Sequence, residues 1–172
     1  MSAQPPVDPV PEHLPVDPVP EHLHTVTPRL VVDDGRAAID FYAAAFGAEL
    51  LGGPFDGPDG ALIHAEIRIG DSVVMLTADT GDAGVHASSP KLLGGVVSAV
   101  MATYWPDVDA AWDRAIAAGA EIVYPLADQF YGERGGRLRD PFGQQWMMST
   151  RTEALSRDEM SRRAADFFGP TG

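Results

Sequence analysis

Three ionisable side chains, His64, Glu66 and Arg68, alternate with apolar residues in the segment LIHAEIRIGDSVVML, residues 62–76. Successive side chains of a β-strand point to opposite faces, so these three groups share one face. A carboxylate beside an imidazole can orient it for proton transfer, and the same pair can supply two ligands to a divalent metal. Alternatively, Glu66 satisfies a buried histidine, while Arg68 holds an anionic group or forms a salt bridge with Glu66.

The same segment predicts a β-hairpin with a two-residue turn at Gly70-Asp71. This turn pairs Arg68 with Val73 and Glu66 with Met75. The sequence offers no recognisable catalytic nucleophile, since the chain contains no cysteine and no G-x-S-x-G motif. Neither a phosphate-binding loop nor a dinucleotide fingerprint is present. Covalent catalysis and nucleotide binding are therefore not expected.

Composition limits the partners of this 172-residue chain, whose length fits one domain and an N-terminal tail. The formal net charge of -13, from 25 acidic and 12 basic residues, repels nucleic acid and anionic membrane surfaces. It attracts a cationic small molecule or simply maintains solubility. No apolar run is long enough to cross a membrane, and no secretory signal precedes the domain. The predicted location is cytoplasmic.

The first 24 residues contain a perfect tandem repeat, because PVDPVPEHL occurs at 6–14 and again at 15–23. Three prolines in each copy favour extended polyproline II, so residues 1–24 are predicted to be a disordered tail. The tail docks a partner or crosses a neighbouring subunit, or it is a duplication in a tolerant terminus. His13 and His22 are not expected to be ligands.

A second duplication organises the domain at 25–150. DGRAAIDFYAAAFGAEL, at 34–50, aligns with DVDAAWDRAIAAGAEI, at 107–122, and each is predicted to be a capped helix preceded by one strand and followed by three. The order β-α-β-β-β therefore occurs twice, in modules at about 25–78 and 96–150. In the segment 151–172, Ser156 and Glu159 form a capping box that predicts a helix over 157–168.

These motifs together resemble the vicinal oxygen chelate superfamily, which includes glyoxalase I, extradiol dioxygenases and bleomycin-resistance proteins. TPRLVVDDGRAAIDFY, HAEIRIGDSVVML and RDPFGQQW are most similar to its PhnB-like branch. The resemblance implies an α+β fold in which two tandem modules form a curved, barrel-like mixed sheet, with helices outside and a C-terminal helix added. It also implies a ligand cleft on the concave side, lined by His64, Glu66 and Arg68.

Enzymes of the superfamily hold a divalent metal with one His, Gln or Glu from each of four strands. The resemblance places these positions at Thr27, Met75, Val100 and Met147, none of which suits such an ion. We therefore expect no cofactor. The alternative is a rearranged divalent metal site on His64 and Glu66, with Gln145 or Glu133 as a distant further ligand.

The resemblance extends the expected ligand-binding surface to both modules. Phe130, Tyr131 and Arg134 lie in the loop QFYGERGGRLRD, which is interpreted as a flap over the cleft or as an ordinary hairpin loop with aromatic anchors. The candidate ligand-binding residues are Thr27, Arg29, His64, Glu66, Arg68, Met75, Tyr104, Phe130, Tyr131, Arg134, Gln145 and Met147. Trp112 and Trp146 are assigned to the core.

Three functions follow from these expectations. The first is a small-molecule binding protein that sequesters a cationic or aromatic organic compound without a metal, as bleomycin-resistance proteins do. The second is a glyoxalase-like lyase or isomerase in which His64 and Glu66 are catalytic. The third is a non-catalytic structural paralogue with a filled cavity. A homodimer is the expected assembly.

Overall fold

The computed structural model describes residues 17–79 and 87–169, and these form two β-α-β-β-β units followed by a helix. The first unit comprises β1 (Arg29–Val32), α1 (Gly35–Phe46), β2 (Glu49–Asp56), β3 (Leu62–Ile69) and β4 (Ser72–Ala78). The second comprises β5 (Met101–Tyr104), α2 (Val108–Ala117), β6 (Glu121–Gln129), β7 (Glu133–Arg139) and β8 (Gln145–Arg151). The helix α3 (Arg157–Phe168) follows. None of the helices in these ranges has the length and hydropathy of a membrane span.

Each unit forms its own four-stranded mixed sheet, in the order β1-β4-β3-β2 or β5-β8-β7-β6. The α+β class and the duplicated module are confirmed, but the eight strands do not close into one continuous sheet. Arg68 pairs with Val73 and Glu66 with Met75, so the hairpin register predicted from the turn is confirmed. The face of every side chain on β3 and β4 follows from that register.

The helices begin where short polar side chains can accept from free backbone N–H groups. The Asp34 carboxylate accepts from two N–H groups at the start of α1, and Asp107 does the same for one at the start of α2. Ser156 accepts from the N–H of Glu159, as the capping box predicts. Gly47 ends α1 with a φ of 65°, a conformation that glycine adopts without strain.

The two units share one hydrophobic core on the helical side of both sheets. The ring of Phe46, in α1, lies 4.7 Å from that of Trp146, in β8, so the first helix contacts the second sheet directly. Ala65 and Ile67 are buried on the face of β3 that points toward the helices. The opposite face, which carries His64, Glu66 and Arg68, points away from the helices.

The strands β2 and β6 extend further than the sequence predicts. The Gly/Pro/Asp-rich composition of residues 52–60 predicts a loop, yet β2 continues through Gly52, Gly53 and Pro54 to Asp56. Both β2 and β6 are edge strands with register shifts near a proline, and an edge strand tolerates a residue that cannot donate a hydrogen bond. The segment LADQFYGERG, residues 126–135, likewise predicts a ten-residue loop, but β6 extends to Gln129 and β7 begins at Glu133, so the connecting turn has only three residues, 130–132.

Candidate functional site

His64, Glu66 and Arg68 lie together on the exposed face of β3, at the positions that the hairpin register predicts. The His64 Nε2 atom is 3.4 Å from Glu66 Oε1, and the Glu66 side chain is only 19% exposed. Arg68 does not pair with Glu66. Its guanidinium lies 3.8 Å from Glu49, on the neighbouring strand β2, because these two residues are directly opposite in the ladder.

Glu66 has a second partner, which sequence reasoning missed. The His22 Nε2 atom lies 2.9 Å from Glu66 Oε2, so the segment before β1 brings an imidazole to the carboxylate. His22 is the penultimate residue of the second copy of the tail repeat, whereas His13 of the first copy lies outside the described residues. The tail repeat draws attention to His22 because the histidine occurs in both copies. No local sequence pattern, however, indicates that its partner lies 44 residues away.

The four positions implied for metal ligands carry donors that do not suit a divalent ion. Thr27 donates its hydroxyl to the backbone oxygen of His24, Met75 and Met147 offer only thioethers, and Val100 offers nothing. Within residues 17–79 and 87–169, no three His, Asp or Glu side chains are placed to hold one metal ion. The donors at these four positions therefore do not fit the divalent metal of the superfamily's enzymes.

A cavity of about 750 Å³ lies at the edge where the two units meet. Its described lining consists of His24, Val26, Pro28, residues 69–74, residues 100–106 and Trp146. Asp71 is the one carboxylate among these lining residues, and neither lysine nor arginine is among them. The cavity is therefore mainly apolar, aromatic on one side and weakly acidic.

Of the twelve predicted ligand-binding residues, Tyr104 alone belongs to the described lining of this cavity, and His64, Glu66 and Arg68 do not. Tyr104 lines it, together with Ala102 on the same face of β5. Arg29 lines a smaller opening of about 400 Å³, and its guanidinium donates to the backbone oxygen of Ile63. Four further candidates lie outside both described linings, namely Thr27, which precedes β1, and Met75, Gln145 and Met147, which lie on β4 and β8.

Tyr104 is held in place from its polar end. Its hydroxyl donates to Glu133 Oε1 at 2.9 Å, and this hydrogen bond is the main reason that the pKa of Tyr104 is raised. The ring is 66% exposed, so it presents a flat aromatic surface to the cavity. A positioned ring of this kind can stack on a planar ligand.

The aromatic residues after β6 are not brought to the cavity. The ring of Phe130 stacks on Phe167 of α3 at 4.9 Å, and Tyr131 packs edge-on against Phe130. Arg134 forms a bidentate pair with Asp109 of α2, on the helical side of the sheet. In the described structure this turn is anchored to α3 and α2, which is the arrangement of an ordinary hairpin with aromatic anchors.

A buried carboxylate outside the candidate list connects the two units. Asp140, which is 3% exposed, accepts from the hydroxyl of Tyr42 at 2.7 Å and from the indole N–H of Trp146 at 2.9 Å. Its other oxygen accepts from the backbone N–H groups of Phe142 and Gln144. Burial is the main cause of the raised pKa of Asp140. This residue opens the RDPFG turn, and its role is structural.

Comparison with known proteins adds to this geometry. A sequence model of the Glyoxalase/Bleomycin resistance protein/Dioxygenase superfamily matches residues 22–148. Uncharacterized proteins of Mycobacterium tuberculosis and Mycobacterium bovis are 43% identical over 136 residues, which span 78% of this chain and 79% or 88% of theirs.

Solved structures share the fold. TioX of a Micromonospora species is 28% identical with a TM-score of 0.55, over 77% of this chain and all of that one. A PhnB protein from Bacillus cereus is 19% identical with a TM-score of 0.56, over 74% of this chain and 99% of that one, and shows similarity of fold alone.

Proposed function

Because this chain belongs to the glyoxalase/bleomycin resistance protein/dioxygenase superfamily, we propose that it binds a small organic molecule in a cleft that needs no metal ion. The observation that carries the proposal is the cavity of about 750 Å³ between the units. Ligand sites in proteins usually enclose about 300–1,000 Å³ and combine apolar walls with a few polar groups. A cavity of this size favours a binding protein over a structural paralogue whose interior is filled.

The lining supports an aromatic or cationic compound as the ligand. Tyr104, Trp105 and Trp146 supply aromatic surface, and Asp71 supplies the only formal charge among the described lining residues. Aromatic faces and a carboxylate attract a flat cation. Tight retention without turnover would sequester the compound, and sequestration of a toxic compound would confer resistance to it.

Binding would be tested by ligand-induced stabilisation of the purified full-length protein. A ligand at about a hundredfold excess over its dissociation constant raises the free energy of unfolding by about 2.7 kcal/mol. The screen would use planar aromatic compounds, both organic cations and uncharged molecules, with chemical denaturation as the measurement and product analysis to detect turnover. Ala102→Trp should abolish the stabilisation, because Ala102 lines the cavity and its replacement fills it.

Ala44→Trp is the matched control. Ala44 lies on the exposed surface of α1, so this substitution adds the same side chain away from the cavity. The proposal fails if no planar aromatic compound stabilises the wild type, or if Ala102→Trp retains the full effect. Elemental analysis after incubation with nickel, cobalt, zinc, manganese or iron(II) should find no stoichiometric metal. One bound ion per chain, lost in His64→Ala, would contradict metal independence.

The contact between His64 and Glu66 favours one second candidate, a lyase or isomerase of glyoxalase-like chemistry. The carboxylate lies 3.4 Å from the imidazole, which is 37% exposed and accessible to a substrate. In this case His64→Ala should abolish turnover while the protein stays folded. Full turnover by the variant would exclude His64 as a base or a ligand.

A further inference from the structure

The guanidinium of Arg137 is half-buried on β7 and has no hydrogen bond or ion pair within residues 17–79 and 87–169. All 12 lysines and arginines of the chain lie in those ranges. Ten of the others contact a carboxylate or a backbone carbonyl. The eleventh, Arg157, is exposed at the start of α3. A half-buried cation without a counter-charge is unexpected in a chain of net charge -13.

The surroundings of Arg137 leave its donors available. Its guanidinium carbon lies 5.2 Å from the ring centroid of Tyr124, which is opposite it on β6. Stacking on a ring occupies the flat face of a guanidinium and leaves the N–H groups at its edge free. The Nε atom of Arg137 is buried without a partner in the described structure, and so is that of Arg139, two residues along the same face.

Buried donors are nearly always satisfied, so two orphaned Nε atoms on one strand face indicate a missing acceptor. The planar fork of a guanidinium matches the two oxygens of a carboxylate or phosphate. Arg139 holds only a loose pair at 3.5 Å with Glu121, which is 73% exposed and can give way. We propose that Arg137, assisted by Arg139, binds the oxyanion group of an organic acid.

The register relates this oxyanion site to the cavity. Arg137 is opposite Met147 on β8, and Met147 is opposite Ala102 on β5, which lines the cavity. Two strand spacings separate Arg137 from Ala102 by about 10 Å. On the premise that the proposed binding function holds, the ligand has a flat body in the cavity and an acidic group about 10 Å away.

The first module carries the opposite charge at the matching position. Glu66 is opposite Met75 just as Arg137 is opposite Met147. The duplicated units therefore present a carboxylate at one concave face and a guanidinium at the other. Salt screens the overall negative charge beyond about 8 Å, so the charged groups nearest the ligand decide whether it binds.

The first experiment needs no cavity ligand. The side-chain Nε–H signal of Arg137, identified by its absence in Arg137→Gln, is followed by NMR in the full-length protein during titration with sodium benzoate and with inorganic phosphate. A saturable shift with either anion is expected. Tighter binding of benzoate indicates a carboxylate site, and tighter binding of phosphate indicates a phosphate site. No saturable shift with either anion overturns the proposal.

The second experiment compares naphthoate with the uncharged naphthyl methanol, which has the same body without the acid. Arg137→Gln should weaken naphthoate binding about tenfold or more and leave the alcohol unchanged, because a charge-assisted bidentate contact is lost. Arg137→Lys keeps the charge and should lose less. Arg157→Gln, a matched loss of one exposed arginine, should change neither.

The two proposals fail in different ways. If no planar compound, naphthyl methanol included, binds the wild type while benzoate shifts the Arg137 signal, the cavity proposal fails and the oxyanion site stands. If both naphthyl probes bind the wild type and Arg137→Gln weakens neither, the oxyanion site is overturned while the cavity proposal stands. Circular dichroism of each variant verifies the fold, and Arg137→Lys provides the comparison if Arg137→Gln does not fold.

Discussion

At the scale of single residues, the carboxylates of this protein perform different tasks according to their surroundings. Glu66 is partly exposed and contacts two imidazoles, from His22 and His64. Asp140 is buried and accepts four hydrogen bonds from side chains and backbone. Glu66 is therefore a candidate for proton transfer or ligand binding, whereas Asp140 is a candidate for stabilising the fold.

Asp140→Asn should lower the free energy of unfolding by about 2–4 kcal/mol, because an amide NH₂ would face N–H and O–H donors that a carboxylate accepts. Tyr42→Phe removes a single donor and should cost less, about 1–2 kcal/mol. Urea unfolding at neutral pH measures both. Equal stability of wild type and Asp140→Asn would contradict this account of the cluster.

The effect of Asp140 on stability should depend on pH. Because burial raises its pKa above the usual 3.8, the folded protein holds this proton where the unfolded chain has released it. The resulting stabilisation is complete below 3.8 and is lost as pH rises through the raised folded value. The stability difference between wild type and Asp140→Asn should therefore increase as pH is lowered through this window. A constant difference would show that the folded pKa is not raised.

At the scale of elements, the segment before β1 forms part of the cavity wall. His24, Val26 and Pro28 line the cavity, while His22 connects the segment to Glu66. The edge strands β2 and β6 and the turn at 130–132 show that proline and glycine can lie inside a strand or beside a tight turn. A local pattern alone does not separate those cases, since only the neighbouring strand supplies the ladder.

His22→Ala should accelerate hydrogen exchange of residues 23–28 several-fold, because the contact with Glu66 is lost. Global stability should fall by less than about 1 kcal/mol, because exposed pairs contribute little and His22 is 44% exposed. His13→Ala changes the identical residue of the first repeat and is the matched control. Identical exchange in both variants would exclude a specific role for His22.

At the scale of the whole molecule, the duplicated units share one core and leave apolar side chains on the outside. Phe168 is 72% exposed and Val96 is 68% exposed. Exposed apolar groups of this size are common at interfaces between subunits. We therefore retain the prediction of a homodimer, with the C-terminal helix available to the interface.

Sedimentation velocity of the full-length protein should show a dimer at micromolar concentration. Association should strengthen as salt rises from about 10 mM to about 150 mM, because screening reduces repulsion between two chains of net charge -13. A monomer at every concentration and salt level would contradict the prediction. Removing residues 157–172 should weaken the dimer if α3 contributes to the interface.

The sequence by itself determined what depends on neighbours along the chain. The capped helices, the turn at Gly70-Asp71 and the pairing of Glu66 with Met75 follow from local spacing, because helix and hairpin geometry repeat over a few residues. Those spacings also placed His64, Glu66 and Arg68 on one face. The duplicated order of elements then indicated the fold.

Only the tertiary structure decided which side chains meet across the units. Tyr42 and Asp140 are 98 residues apart, and His22 and Glu66 are 44 apart. The isolation of Arg137 is likewise visible only when every carboxylate near it is known. Such contacts depend on how two packed modules orient their surfaces, and that orientation comes from core packing that no short sequence pattern encodes.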